Sequence, residues 1–152
     1  MAISQMTQVR QATATWSGDL TSGSGTVSAA TSAVFSDLPI TWAARTEKSD
    51  GKTSPEELLA AAHAACYSMA LSNGLAKGGH APDRVAVTAD VTFEKRDAGW
   101  TVATSHLVVR AKVPGISDAD FRAAAETARD GCPISRALKD NVALSVDATL
   151  ES

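Results

Sequence analysis

The spacing of apolar residues changes several times along this chain, and each change of period predicts a change of element. From Gln8 to Gly18 the pattern alternates roughly, with Thr13, Thr15 and Trp16 inside it, and Gly25 to Phe35 carries Thr26, Val27, Val34 and Phe35. The Gly/Ser stretch from Asp19 to Gly25 lies between them, so the pair reads as a hairpin. A third extended segment, Pro39 to Ala43, leads into the polar stretch from Arg45 to Lys52. That stretch reads as a surface loop, the kind of position that often carries a functional side chain.

The period then becomes helical. Ser54, Pro55 and Glu57 supply an N-cap, a first-turn proline and a capping-box carboxylate, which predicts a helix from about Pro55 to the Gly78-Gly79 pair. Leu58, Ala61, Ala62, Ala65, Cys66, Met69 and Ala70 spread apolar or small side chains nearly all the way round it, the pattern of a buried helix. Arg84 to Lys95 alternates cleanly through Val85, Val87, Ala89, Val91 and Phe93, and Trp100 to Val113 follows across the turn at Asp97-Ala98-Gly99. Ser117 caps a second helix to about Arg129, and Gly131 breaks it. Pro133 restarts a third helix, and Val142 to Leu150 alternates as a closing strand.

Strands, a long helix, strands, helices and a strand make an α+β chain with antiparallel sheet, without the βαβ repetition of nucleotide-binding folds. No linker or repeat divides the 152 residues, so 1–152 reads as one domain. A net charge of −3 removes the usual electrostatic basis for nucleic-acid binding. No apolar run approaches the roughly 18 residues of a membrane span, and Met1 to Met6 lacks the basic start and apolar core of a signal peptide. A cytoplasmic protein that binds neither membrane nor nucleic acid is expected.

The chemistry is narrow. His63, His80 and His106 do not combine with the cysteines at zinc-ligand spacing, no glycine-rich turn opens a helix as a phosphate cradle would, and no cofactor is expected. The two cysteines, Cys66 and Cys132, are far apart in sequence, and in a cytosolic chain free or redox thiols are expected rather than a permanent staple. His63 lies one turn before Cys66: the two form either a Cys-His nucleophile pair or a core histidine beside a core thiol. Cys132 stands at the N-cap of the third helix, where the helix-end field favours a thiolate, or simply fills the helix entry. Cys66, in mid-helix, gets no such help and needs a cation from elsewhere, because a thiol with a pKa near 8.5 is mostly protonated at neutral pH. Arg45 is the nearest candidate.

Ser54-Pro55-Glu56-Glu57 leading to His63 and Cys66, together with Gly131-Cys132-Pro133-Ile134-Ser135, resembles the OsmC/Ohr family of thiol peroxidases. Ala14-Thr15-Trp16, Asp97-Ala98-Gly99 and Val113-Pro114-Gly115-Ile116 extend the likeness over nearly the whole chain. The resemblance implies an OsmC-like fold, antiparallel sheets around a long central helix, and an intertwined homodimer with sites at the subunit interface. It also implies reduction of organic hydroperoxides, and more weakly of hydrogen peroxide. Cys66 is then the attacking thiol and Cys132 the resolving one, joined in a disulfide that a small or protein-bound dithiol, such as a lipoylated protein, reduces. Arg45 corresponds to the family's thiolate-stabilising arginine and Glu56 to the glutamate that holds it. Ten positions of helix separate Glu56 and Cys66 by about 15 Å, so a glutamate serving the thiol comes from the other chain. Met69 and Trp42 are candidates to line a pocket for the substrate's alkyl group. Two rival readings are a non-catalytic stress or ligand-binding protein on this fold and a Cys-His hydrolase.

Overall fold

The structure is a computed structural model and describes residues 6–152; the start of the Met1–Met6 segment read above for a leader lies outside the described residues. The chain divides into two units, Met1–Pro55 and Glu56–Ser152.

In the first unit β1 (Ala12–Ser17), β2 (Ser24–Ala29) and β3 (Leu38–Ile40) form a three-stranded antiparallel sheet in that order. Trp16 stands opposite Gly25, and a Cβ at Gly25 would strike the Thr15 carbonyl and the indole ring, so only glycine admits this close pairing. The hairpin is as expected, but β2 stops short of Phe35. The Gln11 carbonyl accepts the N–H groups of both Ala30 and Thr31, which turns the chain out of the ladder, and Ala33 follows at φ 56°. The third extended segment is also shorter than expected. Thr41 caps a helical turn, its Oγ1 accepting from the Ala44 N–H at 3.1 Å, so Trp42–Thr46 is a short helix, α1, and Arg45 rides on it rather than in a loop.

The second unit holds α2 (Pro55–Lys77, of which all but the first residue belongs here), β4 (Arg84–Arg96), β5 (Gly99–Lys112), α3 (Asp118–Gly131), α4 (Pro133–Leu138) and β6 (Ala143–Glu151). The β4–β5 hairpin closes across Asp97 and Ala98, and Gly99 takes φ 119°, a conformation that a side chain would strain. The sheet order is β4-β5-β6, and β6 runs parallel to β5. This one pairing departs from the antiparallel expectation, because α3 and α4 form a crossover that returns the chain to the same end of the sheet. Ser117 caps α3 by accepting from the Asp120 N–H at 3.1 Å.

The buried positions of α2 after its first turn are His63, Tyr67, Leu71 and Leu75, a single stripe at four-residue spacing. Tyr67, Leu71 and Leu75 meet Leu107, Val109 and Ala111 of β5 and Phe121, Ala125 and Ala128 of α3 in one core. Full burial of Tyr67, Leu71, Leu107 and Phe121 contributes roughly 1.5–3 kcal/mol each. Ala61, Ala62, Ala65 and Met69 remain exposed, so the apolar residues that encircle the helix are covered on one side only in the single chain. Among the described residues no helix is long and apolar enough to cross a membrane.

Candidate active site

The core stripe of α2 determines where Cys66 points. It directly precedes the fully buried Tyr67 and lies one turn after the fully buried His63, which leaves its own thiol half-buried at the edge of the core. Tyr67 fixes that stretch of helix, its hydroxyl donating to the Ala125 carbonyl of α3 at 2.9 Å, and burial raises its pKa so that it stays a donor. Cys132 approaches from the crossover. Its backbone N–H closes α3 on the Ala128 carbonyl at 3.0 Å, its φ and ψ of −59° and 132° turn the chain out of that helix, and Pro133 starts α4. Fully buried, the Cys132 thiol shares a hydrogen bond with the Cys66 thiol, Sγ to Sγ 3.0 Å. Two thiols 66 positions apart in sequence are in contact, and both are free.

Burial pushes the Cys66 thiol up from its ordinary pKa, and the neighbouring Cys132 adds to that, both through a side-chain hydrogen bond that favours the protonated Cys66 and through the charge of its own thiolate. The backbone N–H of Ile134 and the charge of Arg136 act in the opposite direction. The sequence reading gave the helix-end field to Cys132 and none to Cys66. The structure places Cys132 at the N-cap as expected, without a side-chain capping bond, and corrects the second half: the Ile134 N–H, in the first turn of α4, favours the Cys66 thiolate. The net direction for Cys66 in the single chain is nevertheless upward, opposite to the lowering expected of an attacking thiol.

His63 is not a base for Cys66. Its Nδ1 lies 2.7 Å from Ser105 Oγ on β5 and its Nε2 lies 2.8 Å from Ser135 Oγ on α4. With both nitrogens engaged, the imidazole has none left for the thiol, and a Cys-His hydrolase loses its general base. The alternative left open by the sequence, a core histidine, is what the structure contains. Cys66 also borders an open groove of about 810 Å³, lined mostly by apolar groups that include Met69 and Ala70 of α2 and Ala124 and Ala128 of α3.

Residues 47–147 match the family model described as OsmC-like protein. The chain is 42% identical over 139 residues to peroxiredoxin OsmC of Escherichia coli (strain K12), covering 91% of this chain and 96% of that protein. The chain belongs to the OsmC family. Organic hydroperoxide resistance protein OhrA of Bacillus subtilis (strain 168) is 30% identical over 117 residues, 76% of this chain and 77% of its own. Among solved structures, an organic hydroperoxide resistance protein from Elizabethkingia anophelis superposes with a TM-score of 0.69 at 21% identity, covering 96% of this chain and 100% of that one, which establishes a shared fold.

The other residues singled out on this OsmC-family sequence are distributed as follows. Met69, 71% exposed, shares the groove with Cys66. Arg45 and Trp42 belong to the first unit, where the guanidinium stands 5.8 Å from the centre of the Trp42 ring. Both line a small cavity of about 240 Å³ there, together with Trp16, Leu20 and Ile40. Glu56 is buried in the first turn of α2, ten positions before Cys66 on the same helix. Sequence reasoning missed Ser105, Ser135, the Ile134 N–H and Arg136. The last three follow Cys132 within the short run Cys132 to Arg136, and a first-turn N–H followed by a basic residue was a legible signal for a nearby thiolate.

Proposed function

We propose that this chain reduces organic hydroperoxides to alcohols, and hydrogen peroxide more weakly, with Cys66 as the attacking thiol and Cys132 as the resolving one. The observation that carries the reading is the 3.0 Å contact between two free thiols, one of them open to an apolar groove. Cys66, as thiolate, attacks the terminal peroxide oxygen; the O–O bond breaks, the alkoxide takes a proton and leaves as alcohol, and Cys66 becomes a sulfenic acid. Cys132 then attacks Cys66 Sγ, the S–O bond breaks, and water leaves as the disulfide forms. Peroxide is reduced by two electrons and the thiol pair is oxidised by two. A small or protein-bound dithiol, such as a lipoylated protein, returns the pair to thiols.

The upward push of burial on Cys66 means that a further positive charge is needed for ready attack. Arg45 is assigned that role, and Glu56 holds Arg45. Since Glu56 lies about 15 Å along α2 from the Cys66 of its own chain, a second copy of the chain supplies it. The exposed Ala61, Ala62, Ala65 and Met69 favour such a homodimer, because a partner buries the apolar side of α2. Met69 contacts the substrate's alkyl group in the groove, Trp42 lines the approach beside Arg45, and the protein works in the cytoplasm.

The test is intact mass after addition of about one equivalent of cumene hydroperoxide. The wild-type chain should lose two hydrogens, Cys132→Ser should instead stop at a trappable sulfenic acid, and Cys66→Ser should consume no peroxide. Full peroxide consumption by Cys66→Ser would refute the assignment. Slow alkylation of both thiols without any turnover would favour a binding protein on the same fold.

A further inference from the structure

His63, Ser105 and Ser135 form a polar cluster that the peroxidase reaction does not itself use. All three are buried, at 0%, 0% and 1% exposure, and among the described residues no buried side-chain polar atom lacks a partner. Such a cluster is costly to desolvate unless every member is satisfied, and when satisfied it fixes the elements that contribute to it. The elements here are α2, β5 and α4.

The spacing gives the cluster a specific relation to the thiols. On α2, His63 precedes Cys66 by three positions; in the crossover, Ser135 follows Cys132 by three. The two pairs make a ladder with two rungs: His63 Nε2 to Ser135 Oγ at 2.8 Å, and Cys66 Sγ to Cys132 Sγ at 3.0 Å. The sulfur rung is weak and must break and reform during turnover. The imidazole–hydroxyl rung takes no part in the chemistry. With only six residues, α4 has little helical stability of its own.

We propose that His63 is a positioning residue for the resolving step: through Ser135 it holds the start of α4 so that Cys132 remains within reach of the Cys66 sulfenic acid. This rests on the assignment of Cys66 and Cys132 as attacking and resolving thiols. The sulfenic acid has two fates. Cys132 attacks Cys66 Sγ, releasing water and leaving a disulfide. Alternatively, a second hydroperoxide transfers an oxygen to Cys66, releasing an alcohol and leaving a sulfinic acid. A loosened α4 slows the first fate and leaves the second open.

The experiment measures the ratio of sulfinic acid to disulfide by mass, two oxygens gained against two hydrogens lost, over a series of cumene hydroperoxide concentrations. This ratio depends neither on how much protein is folded nor on how fast the sulfenic acid forms. Ser135→Ala should raise it about fivefold, the change that loss of one buried hydrogen bond permits. Ser135→Thr, which keeps the hydroxyl, should return it towards wild type. Ser105→Ala removes the other bond of the same imidazole without touching α4, and should leave the ratio at the wild-type value. His63→Gln, which cannot reach both serines as the ring does, should match Ser135→Ala and replaces it if that variant is too unstable to assay. A wild-type ratio in both Ser135→Ala and His63→Gln, or an equal rise in Ser105→Ala, would overturn the proposal and leave the cluster a plain core contact. Absence of any Cys66–Cys132 disulfide in the wild type would instead overturn the thiol assignment, and the proposal with it.

Discussion

Exchanging His63 for Gln should remove part of the protein's sensitivity to mild acid. The ring is fully buried, and burial is the sole cause of its lowered pKa relative to the usual 6.5. The unfolded chain therefore takes up a proton near the ordinary value, while the folded chain stays neutral to lower pH. Below that value the unfolded state holds more protons. The histidine's contribution is thus fully present above about pH 6.5 and is lost as the pH falls towards the folded pKa. With one proton at stake the slope cannot exceed about 1.4 kcal/mol per pH unit, so the loss between about pH 7.5 and about pH 5.5 is at most about 1.4 kcal/mol. Urea unfolding at one fixed protein concentration, run at both pH values, gives the drop for each protein. The wild type should lose more than His63→Gln by up to that amount, while carboxylates common to both cancel. Equal drops would mean that the folded ring titrates normally, which would refute the reading of His63 as a desolvated, neutral imidazole.

The thiol and the core supply further predictions. Arg136→Gln should raise the pH midpoint for alkylation of Cys66, read by site-resolved mass spectrometry, since the Arg136 charge favours the thiolate; an unmoved midpoint would remove that contact from the account. Arg45→Ala should raise the same midpoint and lower kcat/KM for cumene hydroperoxide, whereas wild-type values of both would end its proposed role. Leu71→Ala, at a fully buried position of the α2 stripe, should cost about 2–5 kcal/mol in urea unfolding, and a loss well below about 1 kcal/mol would show that the site collapses freely.

Elements whose signals are local were legible. The caps of α2 and α3, the alternation of β4 and the turn into β5 each rest on residues adjacent in sequence, and each element formed close to where it was expected. The misses share a different cause. Ile40, Thr41 and Trp42 favour strand by side-chain type, yet one threonine cap tips Trp42–Thr46 into a helix. The parallel pairing of β6 depends on how a crossover packs, which alternation does not record. The site divides along the same line. Both cysteines and the core reading of His63 were visible in the sequence, but its partners Ser105 and Ser135 are 42 and 72 positions away: Ser105 carries no mark that sets it apart from other serines, and Ser135, though it ends the Gly131–Ser135 motif, carries none that pairs it with His63.

The 66-position separation of the two thiols has a consequence beyond catalysis. A bond between them encloses β4, β5 and α3, which supply most of the residues packed against α2 in the core. By loop-closure entropy, a cross-link over that length disfavours the unfolded chain by about 4 kcal/mol. If the proposed disulfide forms, the oxidised form is the tougher molecule, harder to melt and harder for a protease to open, and reduction returns it to a looser one. A peroxide pulse that outruns the supply of reductant would leave the protein idle but armoured, its persistence greatest when the oxidant it removes is most abundant.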